Sequence, residues 1–346
     1  MRYPRGERVL RRSRGPWALT QMVVGAAILA VLVWRLGTGP FLEPLRRIDA
    51  WSLAAAAGIA VPTTVCCAWR WRLVSRGLGS ELPLRAAIGA YYRSQFLNTV
   101  LPGGVLGDAH RAVRRGRDVG DVGHAFRVVV WERTAGQMVQ LALTMVVLLV
   151  LPSPLRSSMP LVAGSVVAAA LAAVLIARTL PRRGPSALAR IGRALVTDVR
   201  YGLLAWRVWP GVVLTSAVVV TGHAATFLIA ARAAGSTASP VQLLPLVMLV
   251  LLATALPTNI AGWGPREGGA AWVFALAGLG AAQGVATAVM YGLMVLVATL
   301  PGAVALMAQW LRPESKAMGP AAGARGGPYP HRRRPAAAVL EGTARG

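Results

Sequence analysis

Pro102-Gly103-Gly104-Val105-Leu106-Gly107-Asp108, with Arg111 three residues on, cuts into one hydrophobic stretch of the chain, and Pro257 followed by Gly262-Trp263-Gly264-Pro265-Arg266-Glu267-Gly268-Gly269 cuts into another. Proline and clustered glycine stop a helix, and the charged side chains beside them are costly in hydrocarbon. Backbone that leaves the helix at membrane depth is tolerated only where protein or a water-filled cavity satisfies its N–H and C=O groups. One break sits in each half of the chain, so the pattern predicts an all-α, polytopic membrane fold whose broken segments line a working site.

Composition supports that class. At 346 residues, 55% hydrophobic and 14% charged, with mean hydropathy +0.55, the chain is too apolar for an ordinary soluble protein and long enough for several spans. The net charge of +25 does not point to nucleic acid, because no aromatic-basic reader module accompanies it. Its arginines gather at the ends of apolar runs and in the tails, where anionic headgroups and the positive-inside bias account for them. Cys66 and Cys67 are adjacent with no third cysteine, so no intrachain disulfide is expected. No metal-spaced His/Cys cluster, Walker lysine motif or nucleophile elbow is present, and neither cofactor nor metal is expected.

A bilayer core of roughly 30 Å takes about 20 apolar residues per helix. The runs near 17–36, 51–69, 126–151, 160–177, 210–231 and 285–310 fit that requirement. Two regions are left. Residues 84–107 carry a short amphipathic stretch into the first break and read as a half-helix that enters and turns back; residues 242–281 hold two short apolar pieces around the second, either two tilted spans or one re-entrant hairpin. The expectation is about six full spans plus two broken or re-entrant segments, up to eight crossings in all. Six arginines in residues 1–14 and seven in 178–207, against one each in 152–159 and 232–240, place both termini in the cytoplasm. A basic N-terminus over 1–16, a transmembrane domain over 17–311 and a disordered basic tail over 312–346 follow.

Among the charges, Asp108 and Arg111 share one face if a helix resumes after the break, either as a capping ion pair or as part of a site. Glu132 and Arg133 lie just inside an apolar run; as neighbours they need partners elsewhere, and a snorkelling pair at the boundary competes with a place in a cavity. In the second break, Pro265 pre-sets a helix start whose N-terminus favours anions, Arg266 is suited to grip a phosphodiester, and Glu267 to orient it or to meet a cationic headgroup, with a plain helix-start loop bearing an exposed ion pair as the competing reading. Asn259 and Thr258 are further polar candidates there. His223, alone in an apolar span, reads as an interhelical hydrogen-bond partner. Trp69-Arg70-Trp71-Arg72 reads as an aromatic and basic belt at headgroup level.

The order Gln95-Phe96-Leu97-Asn98-Thr99-Val100-Leu101-Pro102-Gly103-Gly104, then Gly107-Asp108 and Arg111, Glu132-Arg133, Leu256-Pro257 and Gly262 to Gly268 resembles the lysylphosphatidylglycerol synthase transmembrane-region family over roughly residues 17–310. Glu132-Arg133 stands where that family usually has Asp-Arg. The resemblance implies a flippase-like bacterial or archaeal membrane protein, with Asn98, Pro102, Gly104, Gly107, Asp108, Arg111, Arg133, Gly262, Gly264, Arg266 and Glu267 at the motif positions. Some relatives carry a fused synthase domain, which residues 312–346 do not provide. The expectation is therefore a protein of the cytoplasmic membrane that flips a phosphate-bearing lipid, with anionic or phosphate-linked headgroups as partners and a separate cytoplasmic synthase or glycosyltransferase as a possible associate. A membrane transferase, or a scaffold for lipid-linked sugar or aminoacyl-lipid synthesis, is the alternative. The candidate contacts are Asn98, Asp108, Arg111, Glu132, Arg133, Asn259, Arg266 and Glu267, framed by backbone breaks at Pro102, Gly103, Gly104, Gly107, Pro257, Gly262, Gly264 and Pro265.

Overall fold

The computed structural model describes residues 14–152, 208–255 and 263–311, with a few helical positions between 164 and 175. The chain divides after Met307, and the second unit is described only as far as Leu311. In the described residues the regular elements are α-helices: α1 (Arg14–Leu36), α2 (Gly39–Arg47), α3 (Ala50–Gly77), α4 (Leu84–Val100), α5 (Leu106–Val119), α6 (Val122–Val150), α7 (Trp209–Ala233), α8 (Pro240–Ala253), α9 (Pro265–Leu276) and α10 (Ala281–Trp310).

Local chemistry sets several starts. Asp49 accepts from the Ser52 backbone N–H to cap α3, and Asp121 does the same for His124 at the head of α6. Hydrogen bonds from Ser52 hold the Asp49 carboxyl below its usual range. Ser239 and Gln242 exchange hydrogen bonds in a capping box at the start of α8.

Helices α3, α6, α7 and α10 are long and apolar enough to cross a bilayer. At 1.5 Å per residue they run about 37 to 45 Å, comfortably more than the hydrocarbon thickness. The first expected span, 17–36, falls within α1, and α1 and α2 meet at a 90° bend just beyond its end. The run at 160–177 lies almost wholly outside the described residues.

The first break makes a helical hairpin. Asn98 meets Gly107, Ser94 meets Asp108 and the Glu81 carbonyl meets Arg115, a register that runs α5 antiparallel back along α4. Helices α8 and α9 have 14 and 12 residues. That is about 21 and 18 Å, too short for either to cross alone. They pack on each other, with Gly269 against Ala253. Of the two readings left open by the sequence, a re-entrant pair is the one these lengths fit.

Glycines bring the long helices close. Gly222 of α7 lies against Thr63 and Ile59 of α3, and Gly211 lies against Leu73, so the two helices run antiparallel at near-backbone contact. Helix α10 touches both hairpins: Gly284 and Gly292 face Ala270 and Arg266 of α9, and Gly302 faces the backbone of Tyr92 in α4. Gly222→Leu should therefore overpack the α3–α7 seam and destabilise by about 1–3 kcal/mol. A lowered melting temperature in detergent, with Gly58→Leu as the control because open space surrounds Gly58, checks this.

Candidate functional site

Gly103 and Gly104 adopt left-handed φ values of +88° and +61°, the turn that a side-chain-bearing residue resists, and the chain leaves the helix between α4 and α5. The polar groups this exposes are met from within. Asn98, in the last turn of α4, accepts from the Gly107 N–H at 2.7 Å and donates to Asp108 Oδ2 at 3.3 Å. A Cβ at Gly107 would collide with the Ser94 carbonyl and the Asn98 side chain, so only glycine permits this approach. Pro102 sits at the turn itself. Asp108 falls in the first turn of α5, where the helix dipole favours its charge.

Asp108 and Glu132 then organise three arginines. Glu132 has no exposed surface; its Oε1 accepts from Arg70 Nε and Nη2 at 2.8 and 2.6 Å and from the Tyr91 hydroxyl at 3.0 Å, while Oε2 accepts from Arg111 Nη2 at 2.7 Å. Asp108 accepts from Ser94 at 3.0 Å, Arg111 Nε at 3.0 Å and Arg133 Nη2 at 2.8 Å. Arg70 also donates to Ser216 on α7 at 3.0 Å, and Gly136 leaves room for its guanidinium. Arg111 is fully buried between the faces of Trp71 and Tyr91, at 4.7 and 4.3 Å to the ring centroids. Three guanidinium groups share two carboxylates, which leaves one positive charge over. Arg133, with 39% of its side chain exposed, is the most open of the three.

The second break holds a smaller arrangement. Gly264 has φ +117° and packs on the Gly25 backbone of α1. Glu267, fully buried, takes the Gly264 N–H on Oε2 at 2.7 Å and Arg266 on Oε1 at 2.6 Å. Arg266 lies over Trp263 and Tyr291, and Gly292 of α10 clears space for its guanidinium. Tyr291 in turn shares a 2.9 Å hydrogen bond with His223 of α7, the interhelical role expected of that histidine.

Both breaks open on one cavity of about 490 Å³. Gly104, Asp108 and Arg133 line it from the first side, Pro265 and Arg266 from the second. On each long helix the lining is centred near mid-length: Ala56 to Arg70 of α3, Arg133 to Gln140 of α6, Val219 to Thr226 of α7 and Tyr291 to Thr299 of α10. The cavity thus sits near the centre of four helices able to cross a bilayer.

Among the sequence candidates, Asn98, Asp108, Arg133 and Arg266 line this space, whereas Arg111 and Glu132 stand behind it and Glu267 backs Arg266. Pro257, Thr258, Asn259 and Gly262 lie outside the described residues. The boundary reading of Glu132 gives way, because a fully buried carboxylate with two arginines does not reach headgroups. The belt reading of Trp69-Arg70-Trp71-Arg72 is corrected too. Trp69 is 49% exposed, but Arg70 and Trp71 are 5% and 2% exposed and belong to the cluster. Helix α3 runs on to Gly77, so Arg70 lies nearly two turns inside its end. Tyr91, Ser94 and Tyr291 also belong to the site, and spacing alone did not single them out.

A helical membrane protein with a buried, arginine-rich cavity between two broken segments is the class that these features define. The chain belongs to the family described as lysylphosphatidylglycerol synthase TM region, whose model matches residues 19–302. No curated protein matches the chain. Family and apolar helices together make it a multi-pass membrane protein of a lipid-related family.

Glu132→Gln should cost about 3–5 kcal/mol of stability, since it leaves Arg70 and Arg111 buried without their carboxylate. Glu43→Gln, in the exposed pair with Arg47, should cost under about 1 kcal/mol. Melting of the two variants in detergent, side by side with the wild type, checks the contrast.

Proposed function

We propose that the protein translocates a phosphate-bearing lipid between the leaflets of the cytoplasmic membrane. The observation that carries this reading is the surplus positive charge on a cavity at mid-length of the spanning helices. A headgroup passing through hydrocarbon alone faces a desolvation cost of many kcal/mol. Charge-assisted hydrogen bonds inside a polar cavity offset it, while the acyl or prenyl tails stay in lipid.

Arg133 and Arg266 are the contacts in this scheme, one from each half of the site. Asp108 and Glu267 hold their guanidinium groups in place, and Arg111 acts from behind by fixing Asp108 and Glu132. Because the cavity needs only a surplus of one charge, binding is favourable without trapping the lipid. Direction would come from a gradient or from consumption of the lipid on one side. The arginine distribution puts the chain termini on the cytoplasmic side in this reading.

In proteoliposomes carrying a labelled anionic phospholipid, Arg133→Gln and Arg266→Gln are each expected to slow leaflet exchange at least tenfold, on the order of one lost charge-assisted hydrogen bond. Exchange at the wild-type rate in both variants would remove the basis for the reading.

A further inference from the structure

One imidazole lines the cavity, and it takes no part in the ion pairs that hold the arginines. His223 projects from mid-length of α7, is half-buried, and faces the same space as Arg133 and Arg266. Its Nδ1 shares the 2.9 Å hydrogen bond with the Tyr291 hydroxyl, and among the described residues the ring has no second hydrogen-bond partner. The other nitrogen, Nε2, is left to whatever fills the cavity.

Histidine is the side chain whose charge changes near neutral pH, and this pairing tolerates the change. With a proton on Nε2 alone, Nδ1 accepts from the Tyr291 hydroxyl; with both nitrogens protonated, Nδ1–H donates and the tyrosine oxygen accepts, so the α7–α10 contact survives in either state. The surroundings set when the proton binds. Arg70 of α3 and Arg133 of α6 are the charged groups whose fields reach the ring. From α9, Arg266 lies over Tyr291 and carries its partner Glu267 behind it; Cys67 of α3, Tyr91 of α4 and Asp108 of α5 also line the space, and α8 presents only Leu251. Asp108 and Glu132 leave one positive charge over among their three arginines. In the empty cavity a proton on His223 adds a second positive charge to that surplus. A phosphate at Arg133 and Arg266 cancels the surplus and removes the opposition. Proton and phosphate therefore favour each other's binding, and the coupling is reciprocal.

We infer that His223 is a proton-binding site linked to the phosphate site, so that the protein carries a proton together with the lipid phosphate. This rests on the translocation reading above. The proton is taken from the aqueous phase, held on the imidazole while the phosphate is bound, and returned to water when the phosphate leaves; only an N–H bond forms and breaks, and no other reactant is needed. The proton's help to the lipid is fully present at low pH and is lost as pH rises through the range in which the loaded site gives up its proton. A pH gradient across the membrane then supplies direction, and lipid gathers in the leaflet on the alkaline side.

Proteoliposomes of the full chain with acyl-chain-labelled phosphatidylglycerol, whose phosphodiester stays charged at neutral pH, test this against protein-free vesicles under the same conditions. Lowering the pH on both sides from about 8 to about 6 should speed wild-type leaflet exchange about fivefold or more, and an outside-acid gradient should gather the probe in the inner leaflet faster than in protein-free vesicles. His223→Gln, which can still hydrogen-bond Tyr291 but cannot titrate, should show a rate flat across that range and no added gathering. Tyr291→Phe, which breaks the contact yet keeps the imidazole, should retain both responses. Wild-type exchange indifferent to pH, no gathering beyond that of protein-free vesicles, or a pH response undiminished in His223→Gln would overturn the coupling while leaving translocation in place. Wild-type exchange at the protein-free rate at both pH values would overturn both.

Discussion

Glu132 is a carboxylate with no exposed surface in the middle of an apolar helix, and the arrangement of the first half follows from keeping it charged there. Isolated at that depth it would cost several kcal/mol. Arg70 from α3, Arg111 from α5 and the Tyr91 hydroxyl from α4 saturate it, so one side chain ties four helices together. Trp71 and Tyr91 close over Arg111 and shut water out from that side. The arginines cannot all be neutralised by Glu132 and Asp108, and the remainder of the charge falls on the cavity side, at Arg133.

The same need for satisfaction explains the breaks. At the first, the Asn98 side chain replaces a helical partner for the Gly107 N–H and links it to Asp108. At the second, Glu267 takes the Gly264 N–H with one oxygen and Arg266 with the other. At the second break one carboxylate serves the backbone and the cationic group at once, and so aims Arg266 at the cavity. At the first the two tasks are split: Asn98 holds the backbone and Asp108 the arginines, with a hydrogen bond between them.

Much of this was legible in the residues themselves. Proline and glycine mark the breaks because their backbone limits are intrinsic, and the four long helices follow from apolar runs that need no partner to be recognised. The pairing of Asp108 with Arg111 follows from helical spacing alone. What spacing does not reveal is contact between distant segments. Arg70 looks like a headgroup anchor beside Trp69 and Arg72 until α6 brings Glu132 against it, 62 residues away. The division of labour between Arg111 and Arg133 depends likewise on which guanidinium the aromatic rings enclose. Gly136 and Gly292 look like ordinary small residues of a membrane helix until the side chains of Arg70 and Arg266 come to lie across them.

On the proposed reading, Arg133 of α6 and Arg266 of the second break face one space between the spanning helices and meet a phosphate there. Electron cryomicroscopy of the protein in nanodiscs containing an anionic phospholipid shows whether they do. Headgroup density within hydrogen-bonding distance of both Arg133 and Arg266, at mid-depth between the disc surfaces, is the expected result. Apolar side chains filling that space, with headgroup density confined to the two membrane surfaces, would contradict it.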